Sequence, residues 1–284
     1  MSKSQTPTSA GRVNLSKLFM PSGSRAMVTG GGSGIGRAIS LLLAQWGIEV
    51  WVLGRRLDPL ISTSEMAAEG AIHPVQSDIR DPDAVDSAFQ QAEEGGPIDI
   101  LVNAAGGAFL ANAENITPNG FAAVTASSLL GPFNVVRRWA LPLLAEATPG
   151  CALVISSALA AREVPGAAHS SAAKSGLEAL VRSLAVEWGP RGLRINALAP
   201  GAFETEGAAE GMWSDDRVES ATLSAIPMGR FGRMEELIGA AAFLLSESST
   251  YTTGAVLTID GGWHLSSYPF GRDFPSRTET TRHI

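Results

Sequence analysis

Short apolar runs alternate with stretches of helical spacing along most of this chain. Residues 25–29, 48–53, 98–103, 151–156, 193–198 and 255–259 are apolar runs that end in small or polar residues, as buried strands do. Between the first two, residues 35–46 set Ile39, Leu42, Leu43 and Trp46 on one helical face. Residues 83–94, 120–144, 171–188 and 234–245 read as further helices. Strand and helix in alternation predict an α/β fold, a parallel sheet with helices on both faces. Right-handed crossovers make it a doubly wound, Rossmann-type sheet. No repeat or linker divides the pattern. One domain is therefore expected over 25–263, with a flexible leader (1–24) and a C-terminal tail (264–284). Residues 203–233 interrupt the alternation just after Ala199-Pro200-Gly201. An insertion past a strand's carboxyl end lies where such sheets bind ligands, so a substrate lid is expected there. A plain connecting loop is the alternative.

Composition narrows the function. Hydrophobic residues make up 45% and charged residues 17% of the 284, an ordinary globular balance. A net charge of −7 argues against a nucleic-acid-binding face. The single cysteine, Cys151, permits no intrachain disulfide and no cysteine-based metal site, and it fits a reducing, cytoplasmic location. His73 and His264 stand apart from any cluster that would predict a metal. The longest apolar run, 237–245, is too short to span a membrane. Residues 1–24 lack the apolar core of a secretory signal.

The segment Thr29-Gly30-Gly31-Gly32-Ser33-Gly34-Ile35-Gly36 joins the first strand to its helix. Glycines there permit a tight turn and close approach to a pyrophosphate, and the helix start offers free N–H groups. The second strand ends in Leu53-Gly54-Arg55-Arg56, with no acid to hold a ribose 2′-hydroxyl until Asp58. Arg55, with Arg56 and Arg37, is instead suited to a 2′-phosphate, so NADP(H) is the expected cofactor. A merely solvated Arg56 is the alternative reading at that position.

These residues carry a family resemblance. Thr29–Gly36 resembles the TGxxxGIG motif of the short-chain dehydrogenases/reductases. Asn103-Ala104-Ala105-Gly106 is similar to their NAAG motif. Ser156-Ser157, Lys174, Ile195-Asn196, Pro200-Gly201 and Asp260-Gly261-Gly262 fall in the family's order and spacing. The resemblance covers about residues 23–263. It implies cofactor contacts at Gly30, Gly32, Ser33, Gly34, Ile35 and Gly36, and at Asp78 and Ile79 by the adenine. It implies others at Asn103, Ala104, Ala105 and Gly106, at Lys174 on the nicotinamide ribose, and at Pro200 and Gly201 beside the nicotinamide. It also implies a homo-oligomer, dimer or tetramer.

The family's catalytic YxxxK breaks here. Ser170 stands four residues before Lys174, and Ser128-Leu129-Leu130-Gly131 replaces the usual NxxG. Tyr251 and Tyr268, the two tyrosines, fall outside any small alignment shift. A serine is a poor proton donor near neutral pH, so alcohol–ketone chemistry suffers. Hydride addition to a conjugated C=C passes through an enolate, which hydrogen-bond donors suffice to hold. The 2,4-dienoyl-CoA reductases lack the tyrosine too. Their peroxisomal type resembles His169 through Lys174, residues 185–190 and residues 198–201 of this chain.

The expected activity is thus NADPH-dependent reduction of an enoyl or dienoyl substrate, such as a CoA thioester. Ser157, Ser170 and Lys174 are the catalytic candidates. For Ser157 the alternative is a strand-end serine bonding local backbone; for Ser170, a helix N-cap. For His169, a buried structural histidine stands against a role as the acid. Arg162, Arg217 and Arg230 are candidates for CoA phosphates. Lys174 is the only lysine beyond Lys3 and Lys17, in a chain that otherwise uses arginine. An ammonium and a guanidinium do not interchange at a tight site, which points to a role for it. The rival functions are an atypical carbonyl or imine reductase and a non-catalytic NADP(H)-binding protein.

Overall fold

The computed structural model describes residues 18–21, 23–107, 109–162, 164–203 and 216–266. In chain order the elements are β1 (Arg25–Thr29), α1 (Gly34–Gln45), β2 (Glu49–Gly54), α2 (Leu57–Glu65) and β3 (Ile72–Gln76). Then follow α3 (Pro82–Glu93), β4 (Ile100–Asn103), α4 (Pro118–Thr125), α5 (Gly131–Glu146) and β5 (Gly150–Ile155). The last are α6 (Ala168–Trp188), β6 (Leu193–Pro200), α7 (Asp216–Ala225), α8 (Met234–Leu245) and β7 (Val256–Ile259). The strands form one parallel sheet in the order β3-β2-β1-β4-β5-β6-β7. The order reverses between β1 and β4, so the crevice expected of a doubly wound sheet opens at their carboxyl ends.

Alternation along each strand splits the core in two. Met27 and Leu101 face one side with Phe89, Trp139 and Leu184, under α3, α5 and α6. Val28 and Val102 face the other with Ile39 and Leu244, under α1 and α8. Local chemistry sets the ends of elements. Asp81 accepts hydrogen bonds from the N–H groups of Asp83 and Ala84, and Pro82 opens α3, where its missing N–H costs nothing. No helix among the described residues is long and apolar enough to cross a membrane.

The structure departs from the sequence reading at several places, among them the unanticipated helices α2 and α7. β3 was not anticipated, because Ile72–Gln76 contains Pro74 and no continuous apolar run; it is tolerated as an edge strand. The single helix expected over 120–144 is α4 and α5 joined by a wider π turn at Ala126–Leu130. Helix α6 begins at Ala168, three residues before the expected start at 171. In the expected lid, α7 and the turn after it pack Ile226 and Phe231 against Ala158, Leu159 and Trp263. Phe203 bridges to Gly232, bringing the two ends of that segment together. Residues 204–215, the leader through residue 17 and the tail from residue 267 lie outside the described residues.

Asn103 holds the floor of the crevice. It is buried, its Nδ2 donates to the Pro132 carbonyl (3.0 Å), and its Oδ1 accepts from the Thr29 hydroxyl (2.9 Å). Thr29 Oγ1 in turn accepts from Ala105 N–H (3.0 Å). Asn103→Leu would remove both bonds and leave the Thr29 hydroxyl without its acceptor, at about 2–3 kcal/mol. Scanning calorimetry should show Tm lower by roughly 5 °C or more; an unchanged Tm would contradict the staple.

Candidate active site

The glycine loop is shaped by contacts that admit no side chain. Gly30 has φ +70°, and a Cβ there would lie 3.0 Å from the Ala105 backbone. A Cβ at Gly36 would overlap the Gly30 carbonyl, so α1 presses directly on the loop. The free N–H groups at the start of α1 therefore face the crevice. The crevice measures about 1210 Å³, with Gly30, Gly32, Ser33, Gly34, Ile35 and Gly36 along one wall. Arg55, Arg56, Asp78 and Ile79 line it at the β2 and β3 ends, and Ala104, Ala105 and Gly106 at the β4 end. A glycine cradle, a helix N-terminus and two guanidinium groups suit a phosphorylated dinucleotide. The Arg80 guanidinium (3.0 and 2.5 Å) pulls the Asp78 carboxyl below its usual range.

Two of the side chains expected at the cofactor, Asn103 and Arg37, have protein partners. The Asn103 side chain is spent below the crevice, as described. Arg37 is not left for a 2′-phosphate: it donates to the Gly32 carbonyl (2.6 Å) and Thr63 Oγ1 (3.2 Å), bracing the loop. Pro200 closes β6, and Gly201 lies so tightly on Asp260 that a Cβ would come 2.5 Å from the Asp260 Cβ.

At the reacting end, Lys174 Nζ donates to the Ile155 carbonyl (2.7 Å) at the end of β5. Burial pushes its ammonium down to about 8, against the pull of Glu178 one helical turn on. Glu178 also accepts from Ser156 Oγ (2.7 Å), tying α6 to β5. A Cβ at Gly106 would lie 3.6 Å from Lys174 Nζ and 3.5 Å from Ser128 Oγ, so the two side chains flank the nucleotide loop. Ser128 reaches there from the π turn and donates to the Gly107 carbonyl (3.2 Å). Wide turns of this kind recur at functional sites.

The serines resolve differently. Ser157 Oγ accepts from Leu159 N–H (3.2 Å), the local backbone bond weighed as its alternative, while its own proton stays available. Ser170 is not the N-cap; that position is Ala167, and Ser170 sits buried in the first turn of α6, one turn before Lys174. Neither serine hydrogen-bonds Lys174 among the described residues. Phe109, Ala123, Val124 and Ser127 also wall the crevice and escaped the sequence reading. The 120–144 pattern reads as one helix and carries no signal that this stretch bends toward the site.

Two of the three arginines expected at CoA phosphates are otherwise engaged. Arg162 donates to the carbonyls of Trp263 (2.7 Å) and Ser266 (2.6 Å). Arg230 forks onto Glu236 (2.8 and 2.6 Å), and the Arg217 side chain lies outside the described residues. Burial pushes the Cys151 thiol up to about 11, which removes it as a nucleophile.

Comparisons with known proteins agree with this architecture. A family profile described as Enoyl-(Acyl carrier protein) reductase matches residues 30–264. A Bacillus subtilis protein assigned as a 2,4-dienoyl-CoA reductase is 38% identical over 248 residues, covering 86% of this chain and 98% of the relative. The peroxisomal 2,4-dienoyl-CoA reductase of Pongo abelii is 35% identical, covering 85% of this chain and 84% of its own. Among solved structures, an Agrobacterium tumefaciens protein assigned as a 2-deoxy-d-gluconate 3-dehydrogenase, with bound NADP, superposes with a TM-score of 0.80. It is 35% identical, and the match covers 87% of this chain and 98% of that one. With the parallel sheet, the glycine cradle and the lysine at the end of β5, these matches establish that the chain belongs to the short-chain dehydrogenase/reductase family of oxidoreductases.

Proposed function

We propose that the protein is an NADP(H)-dependent reductase of a conjugated C=C in an enoyl or dienoyl substrate, with a CoA thioester as the leading candidate. One observation carries the reading: Lys174 is held in place, but the residue one turn before it is Ser170, not a phenol. Of the two tyrosines, Tyr251 is fully exposed and Tyr268 lies outside the described residues. Bound NADPH would supply the hydride. The chain's part is to seat the dinucleotide on the glycine loop and to keep Lys174 beside the ribose. Ser157 and Ser170 would hold the thioester oxygen as charge builds there. The relatives assigned as dienoyl-CoA reductases, at 38% and 35% identity, support the substrate class, and the absent phenol is what argues against carbonyl reduction.

The test follows NADPH absorbance with purified protein, a 2,4-dienoyl-CoA and a panel of simple ketones. Consumption with the dienoyl-CoA alone supports C=C reduction. Consumption with ketones alone replaces it with carbonyl chemistry, and tight NADPH binding without any turnover favours a non-catalytic role.

Arg55 and Arg56 are exposed on the crevice wall, with no carboxylate at the end of β2, and this supports NADPH over NADH. A lost charge-assisted bond is worth about 1.5–3 kcal/mol, so Arg55→Asp should reduce the NADPH:NADH preference by roughly tenfold or more. Steady-state kinetics with both cofactors reads this directly. Phe133 and Leu141 on α5 and Val186 on α6 are exposed apolar side chains, which supports self-association, measurable by sedimentation.

A further inference from the structure

We propose that His169 is the catalytic residue that hydrogen-bonds the substrate's carbonyl oxygen, and that it is uncovered when the ring of Phe109 swings off it. The inference rests on the reductase reading above and extends it to a side chain that reading leaves unused.

The starting point is an unpaid polar group. The His169 ring is completely buried, and among the described residues neither Nδ1 nor Nε2 has a hydrogen-bond partner. A neutral imidazole carries one N–H and one lone pair, and buried groups of this kind are nearly always paired. A histidine serving only to pack would be expected to bond a nearby carbonyl or hydroxyl. This one instead lies against an aromatic face: its ring centroid is 4.3 Å from that of Phe109, tilted by 60°.

Phe109 gives the direction. It lines the crevice together with Gly107 and Ser127, yet 44% of it is exposed. The ring thus borders both the imidazole and the crevice, with its outer edge near Gly120 of α4 and nearly half of it open to solvent. His169 also sits in the first turn of α6, five residues before Lys174. That is about 7–8 Å along the helix axis. Lys174 stands at the nucleotide loop beside Gly106, so the imidazole and that loop are reached from the same helix less than two turns apart.

The chemistry needs such a donor. When hydride adds to the far carbon of a conjugated thioester, the displaced π electrons come to rest on the carbonyl oxygen. A His169 N–H donates a hydrogen bond to that oxygen without giving up its proton. A solvent proton then reaches carbon, so one hydride and one proton are added in all. Such a donor acts where charge develops, which is where hydrogen bonds count most.

The test compares full-length wild type with His169→Phe and His169→Gln. Tm, NADPH Kd, kcat and KM are measured with whichever substrate the wild type consumes, dienoyl-CoA or ketone, since both present a carbonyl oxygen. His169→Phe removes both nitrogens and keeps a ring. It is expected to hold NADPH as the wild type does, to melt no lower, and to lose roughly 10²–10³ in kcat. His169→Gln, which restores an N–H donor, should recover part of that loss. Should the Phe variant fail to fold, a Gln variant that keeps at least a tenth of wild-type kcat supports the assignment, and one as inactive as a Phe-like loss predicts overturns it. A well-folded Phe variant with wild-type kcat also overturns it, as does a lowered Tm with kcat unchanged. A wild type that consumes ketones but not dienoyl-CoA defeats the proposed substrate while leaving the His169 comparison intact. No turnover of either substrate overturns both.

Discussion

A Lys174→Met protein is expected to lose about 10²–10³ in kcat and to bind NADPH more weakly. Lys174 reaches the junction of the nucleotide loop and the end of β5, bonded to the Ile155 carbonyl and close to Gly106. Methionine keeps the length and apolar stem but removes the charge. Lys174→Arg should recover little, because a planar guanidinium does not fit the space between Ile155 and Gly106. The same lysine gives a pH signature with two opposite arms. Burial lowers its pKa from 10.5 to about 8, so the charged form, and the rate that depends on it, declines as pH rises through about 8. Stability moves the other way. Between about 8 and 10.5 the unfolded chain binds the proton that the folded chain has released, so unfolding becomes harder as pH rises across that window. Denaturant titrations at several pH values should show this slope in the wild type and its loss in Lys174→Met.

Gly36→Val should abolish NADPH binding at any practical concentration, a weakening of more than about a hundredfold. The first atom added at position 36 would overlap the Gly30 carbonyl, a backbone group with nowhere to turn, since Gly30 is itself packed on the Ala105 backbone. Either the loop lifts or α1 shifts, and both spoil the N–H groups that face the crevice. Overpacking at this point should also cost about 1–3 kcal/mol of stability. Fluorescence titration with NADPH, with circular dichroism to confirm folding, checks both effects. Near-native affinity in the valine variant would mean that the loop does not bind the cofactor.

The central strands were legible because they are buried on both faces and so read as apolar runs. β3 was not, because an edge strand tolerates Pro74 and half-exposed positions. The glycine loop and its flanking arginines were legible because their chemistry is local in sequence. Arg37, Arg162 and Arg230 misled for the opposite reason: a charge count cannot say that each guanidinium already has a carbonyl or carboxylate to hold. The start of α6 shows a third limit. A serine at a helix start reads as a cap, but here the chain turns at Ala167 and carries Ser170 inside the helix. Phe109 and its contact with His169 were illegible, since 60 residues separate them and no short-range pattern links the two.

The π turn at Ala126–Leu130 has a consequence for how this enzyme can change over evolutionary time. Beyond it, α5 buries Val135, Val136, Trp139, Ala140 and Leu143 as one stripe, and rotating that stripe by a single residue, about 100°, would expose it. The wide turn absorbs a residue's worth of winding before the stripe begins, so the phase of α5 is set independently of the wall that Ser127 presents. Substitutions within Ala126–Leu130 can therefore retune what the crevice meets while the buried stripe keeps its alignment. The same helix can diverge at one end and be held fixed at the other.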